Sequence, residues 1–360
     1  LGPRPEALRQ DRGKEDQPRA GLGALKKFAE PTDAGKMLPP FRRGSKVTAE
    51  RKVRMNPAQT VEAQKPDGGM RFQQRLAQGK FTLTCEISPP KGTDAAERIA
   101  EAQTLKGRVD AVAVTDGKGS VMVMSALALA HLLQDHGWET LLYLSCRDRS
   151  RMALQAELLG AAALGIRNLV VVTGDYASLG DHPQTKPVFD LDSVQLLRAV
   201  RGMREGKDMM GNPLHGSPDF FVGGTVSPVP GSEAALDLQL MKMEKKIAAG
   251  ARFFQTQPVF DLARFERFLK RASGLGVPLL AGVMPLKSVS MARFINKNMP
   301  EMAVPEDMID ELSQAADRVQ VAVSLCGRTL RQVRNLCPGA HLIPAGWGKR
   351  IPAILDAARL

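Results

Sequence analysis

The sequence contains no run of eighteen apolar residues, and its opening stretch, LGPRPEALRQDRGKEDQ, lacks the apolar segment of a secretory signal. Neither a membrane-spanning helix nor export is expected from it. Cysteine is sparse: Cys85, Cys146, Cys326 and Cys337 are the only four, and none sits in a C-x-x-C or Cys/His cluster. That spacing argues against structural zinc, an iron–sulfur cluster or a disulfide framework and points to a reduced, cytoplasmic protein. The five histidines, at 131, 136, 182, 215 and 341, show no metal-ligand spacing either, and each reads as structural or exposed. No G-x-G-x-x-G turn follows any strand-like run, which removes the usual sign of a dinucleotide-binding open sheet.

The formal net charge is +12, but it is unevenly spread. Residues 1–80 hold 18 Lys/Arg against 9 Asp/Glu, whereas residues 81–360 hold 32 against 29. The basic character therefore belongs to the N-terminal segment. Its aromatic residues are few (Phe28, Phe41, Phe72) and no nucleic-acid module pattern accompanies them, so nucleic-acid binding is not expected. Residues 1–66 mix Pro, Gly, Gln and charged residues without sustained periodicity, apart from short helical pieces near 22–29 and 49–53. They read as a basic, disordered extension, with residues 67–360 forming the folded domain.

From Phe81 onward, β-rich runs alternate with helical patterns. The runs are 81–87, 109–115, 139–145, 167–173, 220–226, 251–257, 277–284 and 340–345. Helices are expected between them at 95–105, 122–133, 151–164, 194–204, 233–249 and 262–272, then at 291–298, 305–324 and 351–359. Such alternation predicts a parallel sheet with helices outside. Eight repeats over this length predict an α/β fold of the closed (β/α)8, TIM-barrel type.

In such a barrel, chemistry gathers where the strands end. The predicted strand ends deliver Glu86, Thr115-Asp116-Gly117, Ser145-Cys146-Arg147-Asp148, Thr173-Gly174-Asp175, Gly223-Gly224-Thr225 with Ser227, and Gln255-Thr256-Gln257 with Asp261. Each also has an ordinary reading. Glu86 sits beside a Pro-Pro turn, Thr173-Gly174-Asp175 suits a turn with a helix cap, and Gly223 and Gly224 relieve crowding or admit a ligand. Lys245 and Lys246 suit a solvated helix face, and Cys85 and Cys146 suit small apolar packing. Gln257 within an apolar run reads as a buried amide in need of partners.

Taken together, E-I-S-P-P-K-G at 86–92, T-G-D at 173–175, G-G-T-V-S-P at 223–228, K-K-I-A-A-G-A at 245–251, F-F-Q-T-Q-P-V-F-D at 253–261 and G-V-M-P-L-K-S at 282–288 resemble the methylenetetrahydrofolate reductase family. The resemblance runs in order from about residue 70 to about 345. It implies an FAD-containing barrel that converts 5,10-methylenetetrahydrofolate to 5-methyltetrahydrofolate, a one-carbon step toward methionine. Electrons would come from NADH, NADPH or a partner subunit, and the hydride would pass through flavin N5. By resemblance Glu86 is the general acid for N10, a role that needs an apolar, partly closed site near neutral pH. Asp175 is the acid beside pterin and flavin, and Gln257 the amide that binds the pterin. Thr115, Thr173, Gly174, Asp175, Asp192, Ser227, Gln239 and Lys246 match cofactor-lining positions, with Lys246 toward the diphosphate.

Two positions depart from the pattern: Tyr143 stands where some members have His, and Ser227 where some have Tyr. Two other readings stay open from sequence, a flavin-free pterin methyltransferase barrel and a partner-dependent subunit that still binds FAD. The basic extension suggests a docking arm for such a partner, and a homo-oligomer is also left open.

Overall fold

The computed structural model describes residues 72–228 and 231–360. The readings made for residues 1–66 lie outside them.

Eight parallel strands close into a barrel in sequence order. They are β1 (Thr82–Ile87), β2 (Ala111–Val114), β3 (Thr140–Ser145), β4 (Asn168–Val172), β5 (Phe221–Val226), β6 (Phe254–Pro258), β7 (Leu279–Val283) and β8 (Gly339–Leu342). Closure is made by β1 against β8, with Thr82 opposite Gly339 and Thr84 opposite His341. The expected (β/α)8 barrel is the observed fold. Among the described residues, no helix is long and apolar enough to cross a membrane.

The helices are α1 (Phe72–Ala77), α2 (Ala96–Gln103), α3 (Ala126–Asp135), α4 (Arg151–Ala163), α5 (Ser193–Arg204), α6 (Glu233–Ala249), α7 (Leu262–Ala272), α8 (Val289–Asn298), α9 (Glu306–Gln314), α10 (Arg318–Arg334) and α11 (Ile351–Ala358). Two differ from expectation for local reasons. The helix read from Met122 begins at Ala126, because the Met122 N–H is taken by Asp181 and the Met124 N–H by the Pro90 carbonyl. The helix read over 305–324 is two, since Ala315 is extended and Asp317 starts α10 by accepting the Gln320 N–H at 3.0 Å.

Side chains alternate across each strand. On β1, Leu83, Cys85 and Ile87 pack outward against the helices, so Thr84 and Glu86 face the barrel interior. A second apolar cluster, including Phe260, Leu286 and Ile309, lies under α8, α9 and α10. A third fills the barrel's lower interior with Phe72, Leu141, Val170, Phe253 and Leu280.

α1, which periodicity did not reveal, plugs the N-terminal end of the barrel. The Phe72 ring meets Phe253 edge-on at 5.2 Å, and Phe253 stacks on Phe221 at 5.1 Å. Arg75 pairs with Asp110 at 2.9 Å, and Asp110 also accepts the Leu83 N–H. Gly223 is required here, since a Cβ would lie 2.5 Å from the Phe253 ring. Of the two readings for the paired glycines, crowding is the one that this geometry supports at Gly223.

Replacing Phe72 by Ala removes a fully buried ring from this plug. The expected loss is about 3–5 kcal/mol of unfolding free energy by guanidinium titration. A loss near zero would mean that α1 does not hold the barrel closed.

Candidate active site

The site is built upward from a polar ring inside the barrel. The Tyr143 hydroxyl donates to Gln255 Oε1 at 2.6 Å. The Gln255 amide donates to Thr84 Oγ1 at 3.2 Å, and Thr84 Oγ1 lies 2.9 Å from His341 Nδ1. His341 Nε2 completes the circuit 3.4 Å from the Tyr143 hydroxyl. Donor counting assigns the directions. Thr84 accepts from Gln255 and donates to Nδ1, which leaves the imidazole proton on Nε2 pointing at Tyr143.

A neutral histidine serves this ring as both acceptor, at Nδ1, and donor, at Nε2. Burial, and secondarily the charge of Lys118, push the His341 pKa down to about 3. Tyr143 is held well above the usual phenol range by burial and by the charge of Glu86. The four residues therefore form a neutral, mutually satisfied floor.

Glu86 stands one inward step above Thr84 and is only 7% exposed. Lys118 Nζ lies 2.8 and 2.9 Å from its two carboxylate oxygens, and His341 Nε2 lies 3.9 Å from one of them. Lys118 sits in a short turn after β2 between two left-handed glycines, Gly117 (φ 57°) and Gly119 (φ 65°). The same turn reaches the loop after β4, where the Gly119 N–H donates to Asp175 Oδ2 at 2.9 Å. Ser120 bonds the carbonyls of Asp175 and Tyr176. One turn thus holds both carboxylates that the sequence singled out.

Asp175 and Thr173 are exposed at the mouth. Gly174 between them has φ 101°, and a Cβ there would lie 2.3 Å from Ser145 Oγ, so this turn needs glycine. Gln257 differs from its sequence reading: it is exposed, and the buried amide is Gln255, two residues earlier. Gln255 faces the barrel interior, where it bonds Tyr143 and Thr84. The β6–β7 register slips between Gln255 and Pro258, with Gly282 N–H donating to Thr256 Oγ1 at 2.8 Å. The irregularity leaves Gln257 at the open end, a common use of such distortions beside a site.

The remaining predicted residues fall into two groups. Thr115 is buried and donates to Ser88 Oγ at 3.1 Å on the β1–β2 side. Thr173, Asp192 and Lys246 collect on the β4–β5 side. Asp192 forms a capping box with Gln195 at the start of α5, and Thr173 Oγ1 accepts the Ser193 N–H at 3.3 Å. Lys246 donates to the Thr225 carbonyl at 2.7 Å, and burial, then the charge of Lys242, lower its pKa to about 8. Ser227 and Gln239 are half-buried at the end of β5 and on α6. A cavity of about 310 Å³ also opens beside the mouth, between Met122, Met124, Arg147, Arg149 and His182. Its arginines are already paired, Arg147 with Asp148 and Arg149 with Asp116, each at 2.6 Å.

Sequence reading missed Lys118 and His341. Lys118 follows the Thr115-Asp116-Gly117 strand end, where the strand-end rule reaches if carried one residue further. His341 shows itself through inward parity on β8, a signal available only once the register with Thr84 is known.

This architecture is that of a parallel (β/α)8 barrel with a carboxylate-bearing mouth. The family model described as methylenetetrahydrofolate reductase matches residues 71–358, and the chain belongs to that family. A probable methylenetetrahydrofolate reductase (NADPH) of Caenorhabditis elegans is 25% identical over 66% of this chain and 35% of its own length. A 5,10-methylenetetrahydrofolate reductase of Pectobacterium carotovorum is 27% identical over 59% of this chain and 66% of its own length. The chain spans about a third to a half of the length of the first eukaryotic relatives it matches. A solved Clostridium thermocellum protein, described as binding two copies of 5-methyl-5,6,7,8-tetrahydrofolic acid, has a TM-score of 0.57. At 17% identity over 80% of this chain and 98% of that one, it shares the fold.

The neutral floor carries a pH prediction. In the unfolded chain a histidine takes a proton near pH 6.5, whereas folded His341 does so only near 3. Acid between those values therefore favours unfolding, by about 1.4 kcal/mol per pH unit for this group. Wild-type unfolding free energy should fall more steeply from about pH 6 to about pH 4 than that of His341→Gln, by close to that slope. Parallel slopes in denaturant titrations would mean that His341 is not held neutral.

Proposed function

We propose that this chain reduces 5,10-methylenetetrahydrofolate to 5-methyltetrahydrofolate, with FAD as cofactor and NADH, NADPH or a partner subunit as electron source. The observation that carries the reading is Glu86: a carboxyl almost wholly withdrawn from water, at the catalytic end of β1, on the mouth shared with exposed Asp175 and Gln257. Opening the folate's five-membered ring breaks the bond between the methylene carbon and N10. The electron pair goes to N10, and a proton must meet it there. A protonated Glu86 gives that proton, and its enclosure keeps bulk water from competing. Asp175 is placed to pair with the amino-amide edge of the pterin and to offset positive charge as the N5 iminium forms. Gln257, with its amide open to the mouth, supplies both a donor and an acceptor to the same ring system.

FAD suits the residues of the β4–β5 side. Lys246 is desolvated, yet among the described residues no carboxylate lies within ion-pair distance and its bond is to a neutral carbonyl. An anionic diphosphate is the partner that such a cation lacks. Thr115, Thr173, Gly174, Asp175, Asp192, Ser227 and Gln239 are the further positions proposed to line the cofactor. When bound and reduced by the electron source, the flavin would supply the hydride.

The visible absorption spectrum of the purified protein, before and after denaturation, tests the cofactor: released FAD supports the reading, and a colourless protein that refuses added FAD removes it. Glu86→Gln should keep its flavin while folate reduction falls about 10²- to 10⁴-fold. Undiminished turnover would take the general-acid role from Glu86.

A further inference from the structure

The residue that touches Glu86 most closely has no part in the proposed chemistry so far. Lys118 contacts both carboxylate oxygens at 2.8 and 2.9 Å, and its own side chain is 49% exposed against 8% for Glu86. It reaches inward from the solvent side, so withdrawing it returns an ammonium to water while leaving a buried carboxylate alone. Among the described residues it is the one charged group within 4 Å of Glu86.

The other titratable neighbours are neutral. From β8, His341 is held neutral by burial. From β3, Tyr143 is pushed well above the phenol range, first by burial. On β1 itself, Cys85 is raised well above the thiol range by burial, then by Glu86 and Glu101. Lys118 is therefore the charged group that Glu86 meets in the folate-free protein.

A paired carboxylate is a poor acid, because the adjacent cation favours its charged form. The geometry offers a way out. The turn that carries Lys118 is tied to the β4 loop by the Gly119 N–H on Asp175, and Asp175 is the group proposed to take the pterin edge. A pterin that engages Asp175 competes for the bond that this side chain makes to the turn at Gly119, one of several that seat it.

We propose that Lys118 is a positioning residue that keeps Glu86 ionised until folate binds. Folate engagement of Asp175 then loosens the Gly117–Lys118–Gly119 turn, Lys118 withdraws, and Glu86 takes up one proton from solvent. That proton passes to N10 as the bond to the methylene carbon breaks. The inference rests on reading Glu86 as the acid of the proposed reaction.

The first test needs no turnover. In the folate-free full-length protein, the Glu86 carboxyl is followed by infrared difference spectroscopy across pH and identified by its loss in Glu86→Gln. Lys118→Met should move its titration midpoint upward by about one pH unit or more, and Lys118→Arg should restore it. An unmoved midpoint in Lys118→Met overturns the inference, even if the protein proves to be an active reductase. A shifted midpoint in a protein that reduces no folate upholds the pairing and removes the reductase reading instead.

The second test is a pH profile with the donor that supports turnover. The alkaline limb of kcat/KM reports the free enzyme and should move upward in Lys118→Met, whereas the limb of kcat reports the folate complex and should stay in place. Equal movement of both limbs would show that the pair persists with folate bound and would overturn the withdrawal step.

Discussion

The hydrogen-bonded ring of Tyr143, Gln255, Thr84 and His341 is the constraint on which the site stands. Closing a barrel turns one face of every strand inward, away from water, so a polar side chain there must find its partners inside. These four come from β3, β6, β1 and β8, which no local sequence brings together. Each gives and accepts one bond in a single direction, so loss of one member leaves buried groups unsatisfied in its neighbours. The ring also separates two chemical regimes. Below it lie the phenylalanines of the plug, and above it lie the carboxylates.

Because the floor is neutral, charge at the mouth is governed from the rim. Glu86 rises from the floor, but its counter-charge comes down from a loop, and the backbone of that loop also binds Asp175. The loop's geometry depends on left-handed backbone at Gly117 and Gly119, and at Gly117 any side chain would meet Arg147. A rigid barrel thus fixes where the acid is, while a short turn sets what charges it feels. This division suits a site whose ligand must change the state of a group without moving the strand that carries it.

Much of this was legible in the sequence, for identifiable reasons. Six of the eight strands lie within the predicted runs, since a buried parallel strand is a short apolar stretch with breakers on both sides. β6 and β8 run past the predicted edges, one into Pro258 beyond a register slip and the other starting at Gly339. The same slip explains the misreading of the two glutamines: alternation puts Gln255 and Gln257 on one face, but depth along the barrel decides which is buried. Asp192 and Thr173 are expected as cofactor positions, and the structure gives both a capping duty at α5, which the sequence reading offered only for the Thr173-Gly174-Asp175 turn. Lys118 was illegible because its meaning is a distance to Glu86, 32 residues away, and no periodicity encodes a distance.

The division of the mouth into two sides bears on how one barrel would serve the two proposed ligands. The β4–β5 side presents Lys246, a partly desolvated cation with no carboxylate in ion-pair distance among the described residues, whereas the side around β1 and β2 presents a carboxylate already matched by Lys118. The two ends of the mouth are therefore electrostatically distinct before any ligand arrives. In the proposed reading, a folate entering over Glu86 meets an ion pair rather than a bare charge, and Asp175 and Gln257 are the groups left open to its pterin. Binding energy is then directed to the pterin edge, away from the bond that breaks. On the proposed mechanism the acid becomes available where that edge has been recognised, above a floor that carries no charge of its own.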